Sequence, residues 1–127
     1  MVDWPIHFQM YTRSLAVLFR SLRRDMYQLN HPGILVNEIK PPNPDPLRAV
    51  RYACIYWVDH LYDCHPEDNA ASELQDGGSV DKFLHRSYLY WLEALGFLRS
   101  VPEGILAMGK VGDLLQVRLL HPHAKAT

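Results

Sequence analysis

The sequence predicts an all-α fold: four to five helices in a compact helical bundle or in stacked helix hairpins, with a Pro-rich connector. Three observations carry this prediction. Apolar residues recur at spacings of three and four through most of the chain, the period of one helical face. Helix-start and helix-stop signals fall at the ends of those runs. No stretch reads convincingly as part of a sheet, and no segment repeats another. With 127 residues, the chain has the usual size of one domain. At that size folding buries roughly two thirds of the unfolded surface, so a single helical domain over 1–127 is expected.

The first helix is expected over 8–29, where Leu15, Leu18, Leu22, Met26 and Leu29 form one stripe and Arg13, Arg20, Arg24 and Gln28 sit largely opposite. His31-Pro32-Gly33 closes it, because proline cannot continue a helix and glycine permits the turn. A connector follows over 30–45, in which Ile34, Val36 and Ile39 precede four prolines in the six positions from Pro41 to Pro46. Such a density favours an extended, stiff path. Asp45-Pro46 then starts a helix over 46–64. The aspartate accepts from free backbone N–H groups, and proline at the first position loses no bond there. Its main face is Leu47, Val50, Cys54, Trp57, Val58 and Leu61, and a second, aromatic-rich face holds Tyr52, Ile55, Tyr56 and Tyr62. A helix this apolar needs cover on more than one side.

Residues 65–78 read as a loop, rich in acids and ending in Gly77-Gly78, the expected variable segment. Ser79 is expected to cap a third helix, or helix pair, over 79–99, with Asp81 favoured in its first turn by the helix dipole. Phe83, Leu84, Leu89, Trp91, Leu92, Leu95 and Leu98 supply its apolar pattern. Ser100-Val101-Pro102-Glu103 has the form of a capping box and opens a helix over 101–119. The stripe there is Ile105, Met108, Val111, Leu115 and Leu119. Gly109 and Gly112 weaken that helix, by about 1 kcal/mol each relative to alanine, unless they permit a close helix contact. Residues 120–127 form a tail.

Composition excludes several classes. Hydrophobic residues make up 48% of the chain, while 13 Lys and Arg against 14 Asp and Glu give a net charge of -1. That balance points to neither nucleic acid nor an anionic membrane as a partner. The cluster Arg20, Arg23 and Arg24 is answered by Asp25 and reads as a solvated helix face. No run approaches the ~18 apolar residues of a membrane span. Cys54 and Cys64 on one helix would stand about 15 Å apart, too far for a disulfide, which needs less than about 7 Å. Two unpaired thiols and no signal peptide fit a reducing, cytoplasmic setting.

No catalytic, cofactor-binding or metal site is expected. His60 and Cys64 share a helical face at i, i+4 spacing, and both are zinc-ligand types, but no second ligand pair accompanies them. His121 and His123 form only a short tail motif. Cys54 lies mid-helix on the core face, a poor place for a nucleophile that needs a base and an oxyanion pocket. Gly77-Gly78-Ser79 reads as a capped turn rather than an anion site, and no P-loop is present. Trp57, Trp91, Tyr56, Tyr88 and Tyr90 lack the interleaved basic residues of a base-stacking surface. The residues expected to carry packing or an interface are therefore Tyr52, Tyr56, Trp57, Leu61, Tyr88, Trp91 and Leu95.

The ordered blocks from Ser21 to Leu106 resemble a known family. They are Ser21-Leu22-Arg23-Arg24-Asp25-Met26-Tyr27, Asn43-Pro44-Asp45-Pro46-Leu47, Arg51 to Leu61, Asp76-Gly77-Gly78-Ser79-Val80, Tyr88 to Leu95 and Pro102-Glu103-Gly104-Ile105-Leu106. The chain, roughly from Tyr11 to Leu115, resembles the helical region that follows the nucleotide-binding core of fungal NACHT-domain NTPases. These are NLR-like, heterokaryon-incompatibility-type signalling proteins associated with WD or ankyrin repeats. The NACHT core itself is missing, so no Walker residue carries over. The resemblance implies a non-catalytic helical spacer or interaction module between NACHT and the C-terminal repeats, as a fragment or truncated member. It implies protein partners: a NACHT core, repeat domains or a second copy. The alternative is a free-standing adaptor or regulator that binds NLR-like proteins through exposed apolar helix faces. Neither reading involves a small-molecule ligand.

Overall fold

A computed structural model describes residues 3–30 and 39–120. The closing turn at His31-Pro32-Gly33, the connector residues Ile34 and Val36, and His121 and His123 lie outside the described residues. The fold is all-α: α1 Trp4–Ser21, α2 Arg51–Asp63, α3 Pro66–Asn69, α4 Ser79–Phe97 and α5 Val101–Leu120, with a 3-10 turn at Ala71–Leu74 between α3 and α4. No strand occurs among the described residues, and no helix there is long and apolar enough to cross a membrane.

The centre of the fold is α2, which packs against α1, α4 and α5. The Asp45 carboxylate accepts from the Leu47 amide at 2.8 Å, which makes it the start signal that its sequence context suggests. The first turn is tight, with Arg48 N–H on the Asp45 carbonyl and Val50 N–H on that of Leu47. Regular α-helix therefore begins only at Arg51. Leu47, Val50, Cys54, Trp57, Val58 and Leu61 are all buried, so the predicted main face is the core face. Its cover comes from the chain's own helices.

Where α1 was expected to run on to Leu29, it ends at Ser21. Leu22 turns extended, and Asp25, Gln28 and Asn30 adopt left-handed backbone conformations. The competing interaction is local. The Asp25 carboxylate accepts from the amides of Leu29 and Asn30, each at 2.9 Å, while its own amide donates to the Glu93 carboxylate on α4. A short acidic side chain that binds the backbone in this way favours a turn over a helix. Asp25 thus serves the turn rather than answering the arginines. Leu22 and Met26 remain buried, and Tyr27 stacks on Phe97 at 4.6 Å.

Residues 65–78 are more structured than a loop. Pro66 opens α3, the Asn69 amide donates to the Cys64 carbonyl at 2.9 Å, and Leu74 is buried. The Tyr11 hydroxyl donates to Glu73 at 2.7 Å, tying this segment to α1. Ser79 does not cap α4; Gly78 occupies that position. The Asp81 carboxylate instead turns back to accept from the Gly77 amide at 2.8 Å, so a carboxylate fills the place an external anion would take. Gly77 has φ +79, a conformation that glycine adopts without strain. Ser100 likewise does not form the expected capping box, since its hydroxyl donates to the Leu98 carbonyl at 3.2 Å. The α4–α5 corner is closed by Ser100 N–H on the Leu95 carbonyl at 2.8 Å, with Arg99 left-handed.

The largest difference concerns α5. Its buried face is Gly104, Ala107, Val111 and Leu114, not the predicted stripe. Ile105 is exposed, and Met108 and Leu115 are only half-buried. The side chain of Leu119 lies outside the described residues. Gly104 lies on this buried face, against Leu95 of α4. A Cβ there would lie 2.6 Å from Leu95 Cδ1, so α5 approaches α4 closely at a glycine. Gly109 and Gly112 face open space and mediate no contact within the described residues.

Candidate functional site

The candidate residues separate into a buried knot and an exposed set. Trp57 on α2 lies at 6.4 Å from Tyr11 on α1, and at 4.9 Å and 5.7 Å from Phe83 and Trp91 on α4, measured between ring centroids. All four rings are buried, and the two edge-on pairs that Trp57 makes with Phe83 and Trp91 add to the stabilisation from area burial alone. The Trp91 indole donates to the Cys54 carbonyl at 2.8 Å, fixing α4 on α2. Leu61 and Leu95 lie in the same core, and Tyr88 is half-buried against it. The Leu84 side chain is also half-buried, whereas Leu89 and Leu92 of the predicted α4 pattern point outward. Trp57, Leu61, Trp91 and Leu95 therefore hold the module together and are not its outer surface.

What faces solvent is different. Tyr52 and Tyr56 remain 48% and 43% exposed on α2, with ring centroids 4.9 Å apart. Leu89 on α4 and Ile105 and Leu106 on α5 are 74%, 68% and 71% exposed. Single exposed leucines are ordinary; here large apolar side chains stand exposed on both α4 and α5. The sequence reading placed Leu89 in the apolar pattern of α4 and Ile105 in the stripe of α5. Their true orientation follows from the rotation of each helix, which spacing alone does not fix.

Polar chemistry concentrates between α1 and α2. His60 Nδ1 is 3.1 Å from His7 Nδ1, and its Nε2 is 2.6 Å from the Tyr52 hydroxyl. Burial, and secondly the facing His7, hold the His60 imidazole below its ordinary range. His7 also lines an open cavity of about 620 Å³ with Asp3, Trp4, Asp63, His65, Asp68 and Asn69. No group of three or more His, Cys, Asp or Glu among the described residues is arranged to hold a metal ion. His60 and Cys64 do not converge on one: the His60 ring meets His7, while the Cys64 thiol is buried and donates to the Leu61 carbonyl at 3.1 Å. Burial pushes the Cys54 thiol up to about 12, which keeps it protonated and un-nucleophilic near neutral pH. Lys110 on α5 reaches Asp59 on α2 at 2.6 Å, closing the third side of α2 with an ion pair. Sequence reasoning missed the His7–His60 and Tyr11–Glu73 contacts, because each joins residues more than fifty positions apart.

The chain is 47% identical over 112 residues to the vegetative incompatibility protein HET-E-1 of Podospora anserina. The match covers 87% of this chain but only 8% of that relative. No family model and no solved structure matches.

Proposed function

This chain is homologous to one segment of a fungal vegetative incompatibility protein, and from that premise we propose that it is a non-catalytic helical interaction module of the NLR-like, NACHT-associated class. In this reading it spaces and docks larger domains, a NACHT core on one side and a repeat array on the other. The observation that carries the reading is the set of exposed aliphatic side chains on α4 and α5, Leu89, Ile105 and Leu106, in a chain that matches a small part of a much longer relative. Apolar side chains exposed to water raise the free energy, and covering them with a partner lowers it. The core aromatics supply rigidity, which lets the outer faces hold a fixed geometry.

The chain takes no part in chemistry in this reading. Its buried Cys54 thiol is held protonated, and the polar groups around His60 are engaged with one another. The module works in the cytoplasm, where unbridged thiols stay reduced.

Co-purification tests the reading. The chain is co-expressed with separately encoded segments of the relative that lie on either side of the matched region. Retention of either segment by the natural chain, with loss on Ile105→Glu plus Leu106→Glu, is the expected result. Equal retention by both chains, or none by the natural one, would sink the proposal.

A further inference from the structure

The contact between His7 and His60 has only a few allowed proton arrangements. The two Nδ1 atoms are 3.1 Å apart across the α1–α2 interface, and the rings lie 5.3 Å apart at 33°. On the other edge of His60, Nε2 is 2.6 Å from the Tyr52 oxygen. A neutral imidazole carries one N–H and one lone pair, so the chain of bonds runs in one direction at a time. In one direction the Tyr52 O–H donates to Nε2, and the His60 Nδ1–H donates to His7. In the other, His7 donates to His60, and the His60 Nε2–H donates to the Tyr52 oxygen. One added proton is tolerated, because the ring-to-ring contact still joins one N–H to one lone pair. A second added proton sets N–H against N–H and places two positive charges side by side.

The neighbouring groups do not remove this conflict. Asp3 immediately precedes α1, and Asp59 and Asp63 lie on α2; His65 and Asp68 line the cavity beside His7, and Lys110 approaches from α5. Asp63 and Asp59 favour the charged form of His60, but burial and His7 outweigh them. Lys110 is already engaged with Asp59. With the His60 value depressed in the folded state, that state binds fewer protons than the unfolded chain as acid is added. The contact's contribution to stability is full above the ordinary imidazole value of about 6.5, begins to fall below it, and is lost as pH drops through the depressed His60 value.

We propose that His7 and His60 form a proton-limited clasp, which holds the start of α1 on α2 until a second added proton reaches the pair and then releases it. The release is local. Trp4 and Phe8 flank His7 and are only partly buried, whereas Leu15 and Leu18 anchor the rest of α1 in the core. Acid therefore frees the first turns of α1 and opens the adjoining cavity while the bundle stays folded.

Histidine-resolved NMR and amide exchange on the full chain, from about pH 8 to about pH 5, test this. His60 should titrate below the ordinary imidazole range. Protection from Phe8 to Tyr11, corrected for the intrinsic exchange rate, should fall by about tenfold or more across that interval. His7→Gln keeps a hydrogen-bonding side chain without the second charge. It should raise the His60 midpoint and abolish the acid-dependent loss of protection. An unchanged His60 midpoint in H7Q, or the same acid-dependent loss in both chains, overturns the clasp. So does full protection of Phe8–Tyr11 at the acid end in the natural chain, a result that does not depend on the variant folding.

Discussion

Trp57 is the residue on which most of the core converges, touching rings from α1 and α4 while its own backbone belongs to α2. Its side chain is fully buried, so truncation removes apolar contact and leaves a large cavity. Trp57→Ala should cost about 3–5 kcal/mol in denaturant unfolding. Trp57→Phe should cost less, because it keeps most of the ring volume, and because the buried Trp57 indole N–H has no hydrogen-bond partner among the described residues. A smaller loss from the alanine variant than from the phenylalanine variant would contradict this packing. Tyr11 is a second anchor. Burial first, and its bond to Glu73 second, raise its hydroxyl well above the usual range for tyrosine, so it remains a donor at any ordinary pH.

At the scale of elements, α5 offers a clean contrast between two glycines on one helix. Gly109 faces open space, so Gly109→Ala should stabilise the isolated chain by up to about 1 kcal/mol through helix propensity alone. Gly104 faces Leu95 at a distance no Cβ tolerates without movement. Gly104→Leu should destabilise by about 1–3 kcal/mol, the usual cost of overpacking. Thermal unfolding of the two variants checks both signs, and destabilisation by Gly109→Ala would place that residue against something other than solvent. The connection after α1 shows the same rule in another form. The apolar spacing of Leu22 and Met26 is helical and both are buried, yet the Asp25 carboxylate takes the backbone into a turn.

For the whole molecule, the folding surface and the outer surface separate in a way that can be tested. Leu106 is mostly exposed and lies opposite the buried face of α5. Leu106→Lys should therefore change stability by less than about 0.5 kcal/mol, as expected for a surface position, while weakening any association made through that face. A large loss of stability would put Leu106 in the core. Much of this architecture was legible in the sequence. The helical class, the start at Asp45 and the core face of α2 all follow from short-range spacing and capping chemistry, which act within a few residues. The sequence also supplied the family resemblance, which the relative's 47% identity supports. Tertiary structure decided the rest. Periodicity states which residues share a face of one helix, but α4 and α5 are apolar on more than one face, and their rotation depends on the shape of the neighbour. In α5 the face holding Gly104 packs toward Leu95, and Ile105 and Leu106 point outward. The pairing of His7 with His60 and of Tyr11 with Glu73 likewise needed the helices to be docked, because partners so distant in the chain leave no local pattern to read.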